Sequence, residues 1–352
     1  MMQRIGWLDS SRGLAILMLI LIHYVGALET RDIISEDVML GVKAVLRVAT
    51  PFFILIFGFT FFTIFSRKVE SMSDVSFLYK KLASKIFYIF LARELIVLIS
   101  AFRYEYVSEN LMNILLYRET SGSGEILTFY MLALAVSPLV LHFVKALNPL
   151  WLLCIAVIVY GFGYAVGSNF EHLRETILFR LFFYDVYPFF PFYGLVLLGF
   201  FFSKMYSHWS ADRHRTIFFL SVSLVSILCS FFIFMRTSGD VLRVLANAGL
   251  KAPPAVSYML LYIGVVIIIV LINAYLIQRS LVPEWIVDVL NTVGRNSLLA
   301  YVLHYTLFLS SFFIYFVFGY ASKVLEISAF LIMILFLYSI LIFAERPSSR
   351  KK

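Results

Sequence analysis

Ten apolar runs succeed one another between charged breaks along the 352 residues, each close to the roughly 20 residues a helix needs to cross a bilayer. They fall at about 12–29, 41–65, 84–101, 126–145, 149–168, 177–202, 216–235, 254–278, 297–319 and 324–344. In lipid each segment must satisfy its own backbone hydrogen bonds, so runs of this length dictate helices. The expected fold is all-α: a polytopic membrane protein of about ten transmembrane helices, forming one integral membrane domain over residues 1–352. Composition agrees, with 62% hydrophobic and 14% charged residues against about 25% charged in soluble domains. The first run is followed by no small-residue cleavage site and reads as a retained span rather than a signal peptide. Pro188 and Pro191 interrupt the sixth run and predict a kink or break there. The longest loop, around 102–125, leaves no room for a soluble domain. No convincing internal repeat is present, which weighs against an inverted-repeat transporter.

The distribution of charge sets the expected orientation. With the amino terminus inside, seventeen of the 29 lysines and arginines fall in cytoplasmic segments and eleven in outer ones. Both termini are therefore expected in the cytoplasm. The net charge of +8 reports these loops and not a nucleic-acid surface, because no basic run with interleaved aromatics occurs outside them. Cys154 and Cys229 lie in apolar runs and read as buried core residues. His142, His172, His208 and His214 lack ligand spacing, so no metal site is expected. The chain also contains no Gly-x-x-x-x-Gly-Lys-Ser/Thr loop to support ATP-driven work.

The stretch RIGWLDSSRGLAILMLILIHY, residues 4–24, carries charge into the first span. Arg12 and His23 are eleven residues apart. On a helix that is about 20° past three full turns, so both lie on one face, roughly 16 Å apart along the axis. Asp9 precedes Arg12 by three residues and suits either an ion pair with it or the capping of the helix entry. An ionisable group as deep as His23 normally faces a bundle interior or a water-filled cavity. The bland alternative is a neutral histidine bonded to a neighbouring helix, with Arg12 snorkelling to headgroups. Histidine is also the side chain best suited to moving a proton near neutral pH.

Other polar residues have two readings each. Arg93 and Glu94 inside the third run form either a structural ion pair or the lining of a polar cavity around His23. Asn296 and Ser297 open the ninth run, where they suit capping or interhelical hydrogen bonds. His304 follows on roughly the same face, and its bland reading is a buried packing residue. Glu284 and Asp288 read as solvated loop charges, as do Glu29, Asp32, Glu36 and Asp37 in the first outer loop. Lys80, Lys81 and Lys85 form a basic segment that fits ordinary contacts with anionic lipid.

The stretch Asp9-Ser10-Ser11-Arg12-Gly13-Leu14-Ala15-Ile16, with ten residues between Arg12 and His23, resembles the opening of the acyltransferase-3 superfamily of membrane enzymes. Thr50-Pro51-Phe52-Phe53 through Gly58 resembles that family's aromatic second helix. Asp185-Val186-Tyr187-Pro188-Phe189-Phe190-Pro191-Phe192 through Gly199 resembles the branch related to heparan-α-glucosaminide N-acetyltransferase, with Phe192 where that pattern has tryptophan. Gly294-Arg295-Asn296-Ser297 through Tyr301 and His304 is similar to the motif near the family's carboxyl end, and Glu345-Arg346-Pro347 to its terminal motif.

The resemblance implies transfer of an acyl group, usually acetyl, from an acyl-CoA such as acetyl-CoA to a carbohydrate hydroxyl of a cell-envelope glycan or lipid-linked sugar. It implies an integral protein of a bacterial or archaeal inner membrane, with no metal and no nucleic acid involved. His23 would serve as general base or carry the acyl group transiently. Arg12 would stabilise the donor phosphates or the thioester oxyanion, oriented by Asp9. Asn296, Ser297 and His304 would contact substrate. Lys80, Lys81 and Lys85 stand where the family often has Arg-x-x-Arg for acyl-CoA; lysine keeps the charge but loses the bidentate fork. The competing reading is a transporter or flippase for an envelope glycan or lipid, with Arg12 and His23 lining its path.

Overall fold

The computed structural model describes residues 6–29, 35–102, 104–208, 212–236, 240–247, 249–305 and 323–345. Among them there is no β-strand, and every regular element is helical. The principal helices are α1 (Gly6–Glu29), α2 (Glu36–Leu46), α3 (Ala49–Phe65), α4 (Met72–Ala101), α5 (Glu125–Val144) and α6 (Pro149–Asn169). They continue as α7 (Phe189–His208), α8 (Asp212–Phe234), α9 (Val256–Gln278), α10 (Glu284–Arg295) and α11 (Lys323–Glu345). The chain is helical again over 297–305, and the rest of the expected ninth span lies outside the described residues. Seven helical stretches among the described residues are long and apolar enough to cross a membrane.

The elements depart from the apolar runs at places with local causes. The second run is broken at Arg47 and Val48. Pro51, in the first turn of α3, has no N–H to return to the Arg47 carbonyl, so the helix stops and restarts. α4 begins at Met72, well before its apolar run, because Ser71 and Asp74 form a capping box. The Ser71 N–H donates to Asp74 Oδ2 at 2.8 Å, and the Asp74 N–H donates to Ser71 Oγ at 3.4 Å. These bonds hold the Asp74 carboxyl below its ordinary range, the Ser71 hydroxyl first. Lys80, Lys81 and Lys85 consequently sit in mid-helix, exposed, rather than on a connecting segment. The break expected in the sixth run is real. Arg180–Tyr184 winds as a π-helical turn, 185–188 is not helical, and α7 restarts at Phe189 with Pro191 in its first turn.

Two expectations are corrected. Glu284 and Asp288 lie on α10 and not in a loop, since Pro283 stands at the helix entry and apolar residues follow at helical spacing; Glu29 likewise ends α1, Glu36 and Asp37 open α2, and Asp32 lies outside the described residues. Cys154 and Cys229 are exposed free thiols rather than core residues. In a bilayer an apolar residue is as well placed against lipid as against protein, so hydrophobicity alone does not predict burial.

The chain packs as two units, Met1–Ala49 with Ile269–Lys352, and Thr50–Ile268. In the first, α1 lies along α10 and against α2, with Val25, Met39 and Leu46 packed together beneath Met18, Ile22 and Tyr24. In the second, glycines bring helices to backbone distance. A side chain on Gly58 would collide with the Val196 carbonyl, and one on Gly199 with the backbone of Leu55 and Phe59. One on Gly163 would strike Phe190 and Pro191. Small residues at crossings are the expected solution where lipid offers no hydrophobic drive for helix association.

Arg93 anchors the second unit as a buried ion pair. Its side chain is 1% exposed, and Nη1 donates to Glu94 Oε1 and to the Ile114 carbonyl at 3.0 Å each. Glu125 Oε1 lies 3.9 Å from Nη2, and the guanidinium sits 4.1 Å over the Tyr117 ring. Burial pushes the Tyr117 hydroxyl up to about 12, with Glu94 adding to the shift and Arg93 opposing it. Removing one partner of a buried pair typically costs about 3–5 kcal/mol. Thermal unfolding in detergent should find Arg93→Met destabilised on that scale, whereas Lys80→Met on the exposed face of α4 changes stability by less than about 0.5 kcal/mol.

Candidate active site

The site of the first unit is built where α1 crosses α10. A side chain added at Gly13 would collide with the Leu290 carbonyl, and one at Gly294 with the Asp9 carbonyl and the Gly13 nitrogen. The two backbones therefore touch, and the residues flanking the glycines are carried into reach of each other. Arg12 Nη2 donates to Ser297 Oγ at 3.0 Å. Arg12 Nη1 lies 3.9 Å from Asp9 Oδ1, an ion pair without a tight hydrogen bond. Both side chains keep some exposure, 29% for Arg12 and 17% for Asp9. Asn296 turns back on its own helix, donating from Nδ2 to the Thr292 carbonyl at 3.0 Å.

Further along α1, His23 is exposed and faces a second imidazole. Its ring centroid lies 5.3 Å from that of His304, with the planes tilted by 37°, and 5.5 Å from that of Tyr305. His304 is fully buried. Residue 12 meets 297 and residue 23 meets 304, in the same chain order, so α1 and the 297–305 helix run parallel at the site. Residues 9, 12, 23, 297 and 304 are thus assembled in one unit. Lys80, Lys81 and Lys85 belong to the other unit, on the exposed face of α4.

A family model described as an acyltransferase domain matches residues 5–344. The chain belongs to acyltransferase family 3. No curated protein and no solved structure matches it. Family membership makes the protein an acyltransferase, and with its apolar helices an integral membrane one; it does not favour the transporter or flippase reading. Among the described residues no group of three or more His, Cys, Asp or Glu is placed to hold a metal ion.

Sequence reasoning passed over the part of this acyltransferase that holds the arginine end in place. Asn273 of α9 is buried, and its Nδ2 lies 2.8 Å from both Ser10 Oγ and Ser11 Oγ and 3.3 Å from the Trp7 carbonyl. Ser10 Oγ in turn donates to the Trp7 carbonyl at 2.9 Å. This clamp fixes the first turns of α1 on either side of Asp9. The available signal was a lone amide in the run GVVIIIVLINAYLI, where an unpaired polar side chain is disfavoured. Widening the α1–α10 crossing should dismantle the Arg12–Ser297 contact. Thermal unfolding should find Gly294→Val destabilised by about 1–3 kcal/mol. Gly6→Ala, which meets nothing within 4 Å, should unfold like the parent.

Proposed function

We propose that this acyltransferase moves an acyl group, acetyl in the simplest case, from acyl-CoA to a carbohydrate hydroxyl of a cell-envelope glycan or lipid-linked sugar. About ten transmembrane helices with both termini in the cytoplasm would let the donor arrive from the cytoplasmic side of a bacterial or archaeal inner membrane. The single observation that supports this best is that one uninterrupted helix, α1, carries a held arginine and an exposed histidine on one face.

The spacing separates their tasks. Donors to an oxyanion must lie about 2.7–3.1 Å from it. Arg12 and His23 are roughly 16 Å apart along the axis, beyond the reach of an arginine side chain. Arg12 therefore serves the phosphate end of the donor, balanced by Asp9 and braced by Ser297, while His23 serves the thioester end. Lys80, Lys81 and Lys85 add positive charge that draws the anionic donor to the membrane surface.

At the thioester, His23 takes the proton of the acceptor hydroxyl as its oxygen attacks the carbonyl carbon. The carbon–sulfur bond then breaks, and the coenzyme A thiolate leaves and receives that proton from His23. Ester and thiol are the products, and the histidine returns to its starting state. Mass spectrometry of surface glycans tests this in cells with the protein, without it, and with His23→Gln. Acyl groups should be present only in the first, with transfer by His23→Gln reduced by about 100-fold or more. Glycans acylated equally in all three would contradict the proposal.

A further inference from the structure

Behind the exposed His23 stands an imidazole that no substrate can touch. His304 is 0% exposed, although the sequence motif pointed to a substrate contact there. Its ring is gripped by Tyr301, edge-on with centroids 5.0 Å apart, and by Tyr305 at 4.4 Å. Packed between those two rings, it is confined. His23, on the exposed side of α1, packs against His304 at 5.3 Å and Tyr305 at 5.5 Å between ring centroids.

A neutral imidazole carries one N–H donor and one acceptor nitrogen. The acceptor nitrogen of such a ring suits the N–H of a protonated His23 packed beside it. When His23 takes a proton it becomes an imidazolium and needs an acceptor at its far edge. In Ser-His-Asp triads a buried carboxylate fills that place, fixing the tautomer and stabilising the cation. A neutral imidazole fills it without placing a further charge inside the span. We propose that His304 is the positioning residue of the base, a buried imidazole that orients His23 and accepts from its imidazolium, and that it does not bind substrate.

This inference rests on His23 being the base, and the test separates the two. Labelled acetyl-CoA is given to the purified protein, with membranes from cells lacking it as the source of acceptor, and kcat and KM for acetyl-CoA are measured. His304→Phe keeps the ring volume and removes the acceptor; kcat should fall about 100-fold while KM stays within about twofold. His304→Gln restores an acceptor oxygen and should regain about tenfold of that loss. Wild-type kcat in His304→Phe overturns the inference, and so does a raised KM at unchanged kcat, which would mark a substrate contact. Failure of both variants to purify as folded protein assigns His304 to packing alone and overturns it too. Activity in His23→Gln would instead sink the reading of the base itself, whatever His304 does.

Discussion

The backbone contact between α1 and α10 is the constraint on which the arginine end of the site depends. Gly13 and Gly294 let the helices meet as they do, because a Cβ on either would strike the backbone of the other helix. In lipid such a crossing is held by van der Waals contact and by polar links between helices. Beside this crossing the Arg12–Ser297 hydrogen bond ties α1 to the 297–305 helix, and the Asn273 clamp on Ser10 and Ser11 ties it to α9. A larger residue at either glycine would push α10 away, and with it Ser297, which follows directly on that helix.

From that crossing α1 acts as a ruler. Its 24 residues rise about 36 Å, enough to carry one group near a membrane surface and another deep within the span. Ionisable side chains inside a bilayer are costly and are kept where they do chemistry or where partners hold them. Partners hold both groups on this helix: Arg12 has Asp9 and Ser297, and His23 has His304 and Tyr305. The buried Arg93 of the second unit is likewise held, with Glu94, Glu125 and Tyr117 around it.

Much of this was legible in the sequence because bilayer thickness and helical pitch act locally. Apolar length foretold the helices, and an eleven-residue interval foretold that Arg12 and His23 share a face. The Ser71–Asp74 box and Pro51 are local signals as well, readable once attention moves from hydropathy to caps and missing N–H groups. The bond from Arg12 to Ser297 spans 285 positions, and no periodicity reaches that far; only the ordered motifs hinted at it. The exposure of Cys154 and Cys229 was hidden because lipid and protein interior select the same side chains. For His304 the sequence offered both a buried packing residue and a substrate contact, and its burial depends on which way a helix of mixed faces is turned.

The central claim is a division of labour along α1, with donor phosphates at Arg12 and chemistry at His23. Titration calorimetry with acetyl-CoA on the purified protein tests it directly, using Arg12→Gln and His23→Gln. The account predicts that Arg12→Gln binds acetyl-CoA at least about tenfold more weakly, while His23→Gln binds it like the parent and transfers nothing. Unchanged affinity in Arg12→Gln, or lost affinity in His23→Gln, would contradict it.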